Sequence, residues 1–132
     1  MKQAQAARIL GLGLDLVEVP RFADTLQRQG ERFVKRIFTE HEQGYCNSKQ
    51  SPAPFYAARF AAKEAVAKAF GTGIGAQLGW LDIEIRHTAT GAPEIRLLGK
   101  GTSLAEARGV QDILVILTHT ESMAAAQVCL QG

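Results

Sequence analysis

The chain has little of what would mark a secreted, membrane or nucleic-acid-binding protein. Only two of its 132 residues are cysteines, Cys46 and Cys129, far apart and without C-x-x-C spacing. Neither a disulfide framework nor a zinc site is implied, and a reducing cytoplasm is the expected setting. No apolar run approaches membrane-spanning length, and Met1 to Arg8 hold no apolar core of a leader peptide, so a soluble protein without membrane contact is expected. The formal net charge is only +2, which argues against a nucleic-acid partner held by bulk charge. At 46% hydrophobic residues, the chain can still bury the core of one compact domain.

Several catalytic signatures are also missing. Gly11-Leu-Gly13 invites a dinucleotide reading, but Leu16 stands where the third glycine belongs. There is no G-x-x-x-x-G-K-[ST] phosphate loop and no G-x-S-x-G elbow for an acyl-transfer serine. His41, His87 and His119 form no i, i+4 pair for a metal.

Two segments carry what chemistry remains. Arg59-Phe-Ala-Ala-Lys63-Glu64-Ala-Val-Ala-Lys68-Ala-Phe runs into Gly71-Thr72-Gly73-Ile-Gly75. Alanines let a ligand or another backbone come close, and glycines let backbone N–H groups turn toward an anion. This loop follows a helix C-terminus, where the dipole does not favour an anion, so Lys63, Lys68 and a metal would have to supply the positive field. The competing reading is a helix stop at Gly71 followed by a turn, with Lys63 and Lys68 as solvated lysines. In the second segment Leu10, Leu12, Leu14 and Leu16 alternate with Gly11, Gly13 and Asp15. A strand is expected, with the leucines packed on the core and Asp15 pointing into room on the glycine face. Asp15 and Glu64 could together hold Mg²⁺, which takes one or two carboxylates plus substrate phosphates. Alternatively Asp15 is a turn residue, and Glu64 merely pairs with Lys68 one helical turn on.

Elsewhere the pattern alternates between helix and strand. Pro20 suits a helix start, and Thr39-x-x-Glu42 is a capping-box pattern with a helix beginning near Glu40. Pro54 can open a helix from Phe55 to about Phe70, and Leu81, Ile83 and Ile85 alternate with polar residues as a half-buried strand. Thr90-Gly91 reads as a hairpin turn into Glu94–Leu98, and Ser103-x-x-Glu106 as a second capping box for a helix ending near Gly109. Ile113 to Leu117 and Ala124 to Leu130 complete the strands of a single α+β domain, an antiparallel sheet with packed helices. Between Arg21 and Arg36 five cations face two carboxylates. Arg21, Arg28 and Arg32 could share a helix face that steers an acidic partner protein, although Gly30 interrupts the run; an ordinary solvated helix is the alternative.

Taken together, Gly11-Leu-Gly-Leu-Asp15…Arg21 and Phe60-Ala-Ala-Lys63-Glu64-Ala…Lys68-Ala-Phe-Gly-Thr-Gly-Ile-Gly75 resemble the two signature motifs of the holo-acyl-carrier-protein synthases, the small single-domain 4′-phosphopantetheinyl transferases. The likeness extends through Thr118-His119-Thr120 to Val128 and covers residues 8–132, leaving residues 1–7 as a tail. The resemblance implies transfer of the 4′-phosphopantetheine arm of coenzyme A to a serine of apo-acyl-carrier protein, in support of fatty acid synthesis. It implies Asp15 and Glu64 as Mg²⁺ ligands, Lys63, Lys68, Gly71, Thr72 and Gly73 around the coenzyme A diphosphate, and Glu64 and Lys68 as catalytic groups. Arg21 and Arg28 would meet the carrier protein, and a homotrimer with sites between subunits is expected. The proton acceptor is either Glu64 or a water on the metal. Ile116 and Met123 depart from the family pattern beside His119, which either contacts ligand or fixes a strand end. Two rival readings remain at this level: a Mg²⁺-dependent hydrolase of coenzyme A, and a binding module without catalysis.

Overall fold

A computed structural model describes residues 6–132. Most of the expected N-terminal tail, residues 1–5, lies outside the described residues. The chain runs β1 (Ile9–Glu18), α1 (Val19–Ile37), α2 (Glu40–Asn47), α3 (Ala53–Phe70), a short 3-10 turn (Trp80–Asp82), β2 (Ile83–His87), β3 (Pro93–Leu97), α4 (Lys100–Arg108), β4 (Asp112–His119) and β5 (Met123–Gln131). One antiparallel sheet has the order β1-β5-β4, and β2 pairs with β3 in a separate hairpin. This is the α+β arrangement that the sequence predicts.

Helix α3 organises the molecule because small apolar residues cover most of its circumference, with Ala57, Ala58, Ala61, Ala62, Ala65, Val66 and Ala67 all buried. A helix apolar over most of its surface has to be largely enclosed. One side packs on Ala126, Val128 and Leu130 of β5; on the other, its own Tyr56 joins the aromatic cluster of Phe22, Phe33 and Phe38. Against β1 the approach is closer still. A Cβ placed on Gly13 would collide with the carbonyl oxygen of Ala65, and one on Gly11 with that of Ala69. These two glycines are required by contact, not by backbone angle.

That contact reverses one expectation. The glycine face of β1 is the buried face, and the leucines point outward: Leu12, Leu14 and Leu16 are 61%, 63% and 62% exposed. Alternation identifies which residues share a face, but a side with no side chains can be the better surface for a helix backbone.

Local signals elsewhere vary in their success. The Thr39 capping box forms in full, with the Glu42 amide donating to Thr39 Oγ1 and the Thr39 amide to Glu42 Oε1. Gly71 ends α3 in the left-handed region at φ 77°, and Gly109 ends α4 at φ 72°. The second capping pattern does not cap: α4 begins at Lys100 after Gly99, so Ser103 lies inside the helix. Leu81 belongs to the 3-10 turn and is exposed, whereas Asp82 accepts the Gly79 amide at 2.7 Å. Glu84, expected on an open strand face, is buried beside Arg86. In α1, Gly30 breaks helical geometry at φ 67°, so Arg21 and Arg28 stand on one segment and Arg32 on the next.

Candidate active site along helix α3

Because β1 and α3 touch backbone to backbone, side chains leaving either one at the seam are forced together. Asp15 leaves β1 two residues beyond Gly13, and Glu64 and Lys68 leave α3 on the flanks of Ala65. Lys68 Nζ donates to Asp15 Oδ1 at 2.9 Å and to the Leu14 carbonyl at 3.2 Å. Burial raises the Glu64 carboxyl above its ordinary range, the Asp15 charge raises it further, and Lys68 pulls the other way. Glu64 therefore senses Asp15 across the seam, and Lys68 crosses to the strand instead of pairing along its own helix.

The donor set fits a hard divalent cation. Two carboxylates converge, and an ammonium already stands against one of them as a cation in place. Among the described residues no group of three or more His, Cys, Asp or Glu could hold a metal unaided. Mg²⁺ suits such a partial set, since it keeps waters and takes its remaining oxygens from phosphates.

Lys63 is a correction. Expected beside a diphosphate, it is wholly enclosed, with its Nζ donating to the carbonyls of Ile37 (2.8 Å), Trp80 (2.9 Å) and Ile83 (2.7 Å) and paired with Glu42 Oε1 at 2.7 Å. Burial lowers its pKa, Glu42 opposes that shift, and four acceptors leave no proton for a ligand. Glu42 is equally occupied, since its second oxygen accepts the Ile85 amide at 2.8 Å.

The glycine loop is a second correction. The Gly71 amide donates to the Lys68 carbonyl, and those of Thr72 and Gly73 to the Ala67 carbonyl; Gly75 donates to Leu78. These N–H groups close the end of α3 and do not face an anion. Thr72 Oγ1 is also spent, on the Gly73 carbonyl at 2.8 Å.

A second cationic centre escaped the sequence reading. Arg59, 2% exposed, lies with its Cζ 4.2 Å from the Tyr45 ring centre, and its Nη2 is 3.3 Å from His87 Nε2. Its Nε is buried with no partner among the described residues. Tyr45 stacks on His87 at 4.4 Å, Lys49 lies over Tyr45 at 4.6 Å, and His119 meets Phe55 edge-on at 5.1 Å. Tyr45, Phe55, Arg59, His87 and His119 line a cavity of about 180 Å³, and burial, Arg59, His41 and Lys49 all push the His87 pKa down. An orphaned guanidinium nitrogen in a cationic pocket calls for an anion. The available signal was a charged residue inside an otherwise apolar helix.

On α1, Arg21 and Arg36 stand at the rim of a groove of about 440 Å³ floored by Phe22, Phe33, Phe60 and Trp80. Arg28 lies outside it and is paired with Asp24 at 2.9 Å.

The comparisons agree with one another. The family profile described as the 4′-phosphopantetheinyl transferase superfamily matches residues 11–128. A holo-[acyl-carrier-protein] synthase of Koribacter versatilis is 44% identical over 123 residues, covering 93% of this chain and 98% of its own. The structure resembles the crystal structure of a holo-[acyl-carrier-protein] synthase from Neisseria meningitidis, with TM-score 0.88 and 32% identity, covering 95% of this chain and 100% of that one. It also resembles the Helicobacter pylori synthase crystallised in complex with coenzyme A, with TM-score 0.81, 29% identity, and coverage of 90% and 98%.

Proposed function

The chain belongs to the 4′-phosphopantetheinyl transferase superfamily, and from that premise we infer that it transfers the 4′-phosphopantetheine arm of coenzyme A to a serine of apo-acyl-carrier protein. The serine oxygen bonds to the phosphorus on the pantetheine side of the diphosphate. The bond from that phosphorus to the bridging oxygen breaks, its electron pair stays on the adenosine side, and adenosine 3′,5′-bisphosphate leaves. The serine proton must be taken up as the new bond forms.

The observation that carries this reading is the convergence of Asp15, Glu64 and Lys68 at a seam too tight to open. We assign Asp15 and Glu64 to Mg²⁺, which when bound would neutralise the diphosphate and the departing oxygen. Lys68 is half exposed and can turn its ammonium from Asp15 to a phosphate. The serine proton would pass either to Glu64 or to a water of the site. Coenzyme A carries a further phosphate on its ribose, and the pocket of Arg59, His87 and His119, with Lys49 over its Tyr45 wall, has the charge, the aromatic surfaces and the orphaned donor to hold it. Positioning and charge compensation supply most of the catalysis in such phosphoryl transfers.

Arg21 and Arg36, above an aromatic floor, suit an acidic helix of the carrier protein, with Arg28 reinforcing the field once it exchanges Asp24 for the partner. The outer sheet face supports the reading of a homotrimer with sites between subunits. Leu12, Cys129 and Leu114 form one row across β1, β5 and β4, and Leu14, Gln127 and Ile116 form the next. Four of those side chains are large, apolar and exposed, a surface that a second copy would cover. No helix among the described residues is long and apolar enough to cross a membrane, and a cytoplasmic setting suits the free thiols of Cys46 and Cys129.

The test is mass spectrometry of apo-acyl-carrier protein after incubation with the protein, coenzyme A and Mg²⁺, beside a sample in EDTA. A gain of one phosphopantetheine group only with metal is expected. Coenzyme A cleaved without transfer would make the protein a hydrolase, and coenzyme A bound but intact would make it a binding module.

A further inference from the structure

Lys68 occupies an unusual position for a helix lysine. Glu64 lies one turn away on the same helix, yet the ammonium reaches across to Asp15 Oδ1 at 2.9 Å and is further held by the Leu14 carbonyl at 3.2 Å. It thereby occupies Asp15 Oδ1, one of the two oxygens that the carboxylate can offer a metal ion. A magnesium ion held by that oxygen would carry its own shell of ligands, and an ammonium at hydrogen-bond distance from the same atom would crowd and repel it.

Backbone movement cannot relieve this conflict. Gly11 and Gly13 press β1 onto the Ala65 and Ala69 carbonyls of α3, which fixes the distance between strand and helix. The only adjustable part is the four-carbon stem of Lys68, which is 52% exposed while Asp15 is 17% exposed. Lys68 would therefore have to give up Oδ1 for a divalent ion to use that oxygen. The displaced ammonium needs an acceptor, and the Gly71–Gly73 amides are donors, already given to the Lys68 and Ala67 carbonyls, that cannot serve as one. A diphosphate beside the metal would be that acceptor.

We propose that Lys68 is an internal counter-cation that makes metal and coenzyme A binding cooperative: it holds Asp15 until the metal displaces it, and the coenzyme A diphosphate then receives it. This rests on the assignment of Asp15 and Glu64 to the metal made above. Coupling of this kind is reciprocal, so each ligand strengthens the other by the same factor. Lys68 is a positioning residue in this role, in addition to any contact with the phosphate during transfer.

The experiment is Mn²⁺ titration followed by electron paramagnetic resonance, with and without coenzyme A, on the full chain and on Lys68→Gln, Lys68→Arg and Asp15→Asn. With coenzyme A absent, Lys68→Gln should bind Mn²⁺ about fivefold more tightly, the low end of typical couplings because the lysine is half exposed. The strengthening by coenzyme A should shrink by about the same factor, and Lys68→Arg should keep most of it. An equal gain with and without coenzyme A would make Lys68 a static charge and overturn the proposal, as would no gain at all. If Asp15→Asn loses Mn²⁺ while Lys68→Gln keeps the full coupling, the metal assignment stands and this inference falls. If the native chain holds no Mn²⁺ even with coenzyme A, the metal assignment fails first and takes the inference with it. Circular dichroism of each variant confirms that the fold is retained.

Discussion

Helix α3 carries two lysine–carboxylate pairs with opposite surroundings. Lys63 and Glu42 are fully enclosed, with every polar atom of the pair engaged by backbone or by its partner. Lys68 and Asp15 lie at the open end of the same helix, and Lys68 is 52% exposed. The first pair ties α2, α3 and β2 together, because Glu42 accepts from Thr39, Lys63 and Ile85. The second closes nothing and can exchange partners. A buried ion pair is costly to form and costlier to break by halves, so it is immobile. A pair at the solvent boundary contributes little to stability and is free to serve a ligand.

That contrast can be broken in a graded series. Lys63→Met should have the largest effect, a loss of about 3–5 kcal/mol in urea unfolding, because it strands the Glu42 carboxylate in the core. Adding Glu42→Leu to it should restore part of the loss. Glu64→Gln should reduce transfer to the carrier protein by about a hundredfold or more while unfolding changes by less than about 0.5 kcal/mol. Gly13→Ala should cost about 1–3 kcal/mol in unfolding and reduce transfer further than that loss accounts for, since pushing β1 off α3 also separates Asp15 from Glu64. If activity tracks only the folded fraction, the seam does not set the site's geometry.

Arg59, the third cation of α3, gives a smaller, pH-dependent effect through His87. Its pKa is held below the ordinary 6.5 by burial, by Arg59 and by His41 and Lys49, so the unfolded chain binds the proton more readily. Stability should be intact above about pH 6.5 and fall as the pH drops toward the lowered folded value, levelling off below it. Urea midpoints across that window should lose this component in His87→Gln. Lys68→Gln should disturb unfolding only slightly, by under about 1 kcal/mol, despite removing a hydrogen-bonded pair. A loss as large as that of Lys63→Met would erase the distinction between the two ends of the helix.

Much of the chain's order was legible because it depends on neighbours in sequence. The Thr39–Glu42 capping box, the stops at Gly71 and Gly109 and the turn at Gly91 are short-range devices, each satisfied within a few residues. Ser103-x-x-Glu106 misled because the same spacing also occurs inside a helix, where no free amide needs capping. Lys63 was misread for a different reason. Nothing near it in the chain shows that the Ile37, Trp80 and Ile83 carbonyls will converge on its ammonium. Arg59 was passed over because its partners, Tyr45 and His87, come from other elements.

The sequence by itself determined the element types, the single α+β pattern and the two motifs that hold Asp15, Glu64 and Lys68, because periodicity, capping and motif order are local properties of the chain. Tertiary structure alone decided which face of β1 is buried. The alternating leucines look like a core, yet the glycine face allows the α3 backbone to reach the strand, and the leucines are left outside. It also decided which lysine is part of the scaffold and which is free to meet a ligand. Two similar side chains five positions apart differ only in what the rest of the fold brings to them, and desolvation and available acceptors then set their roles.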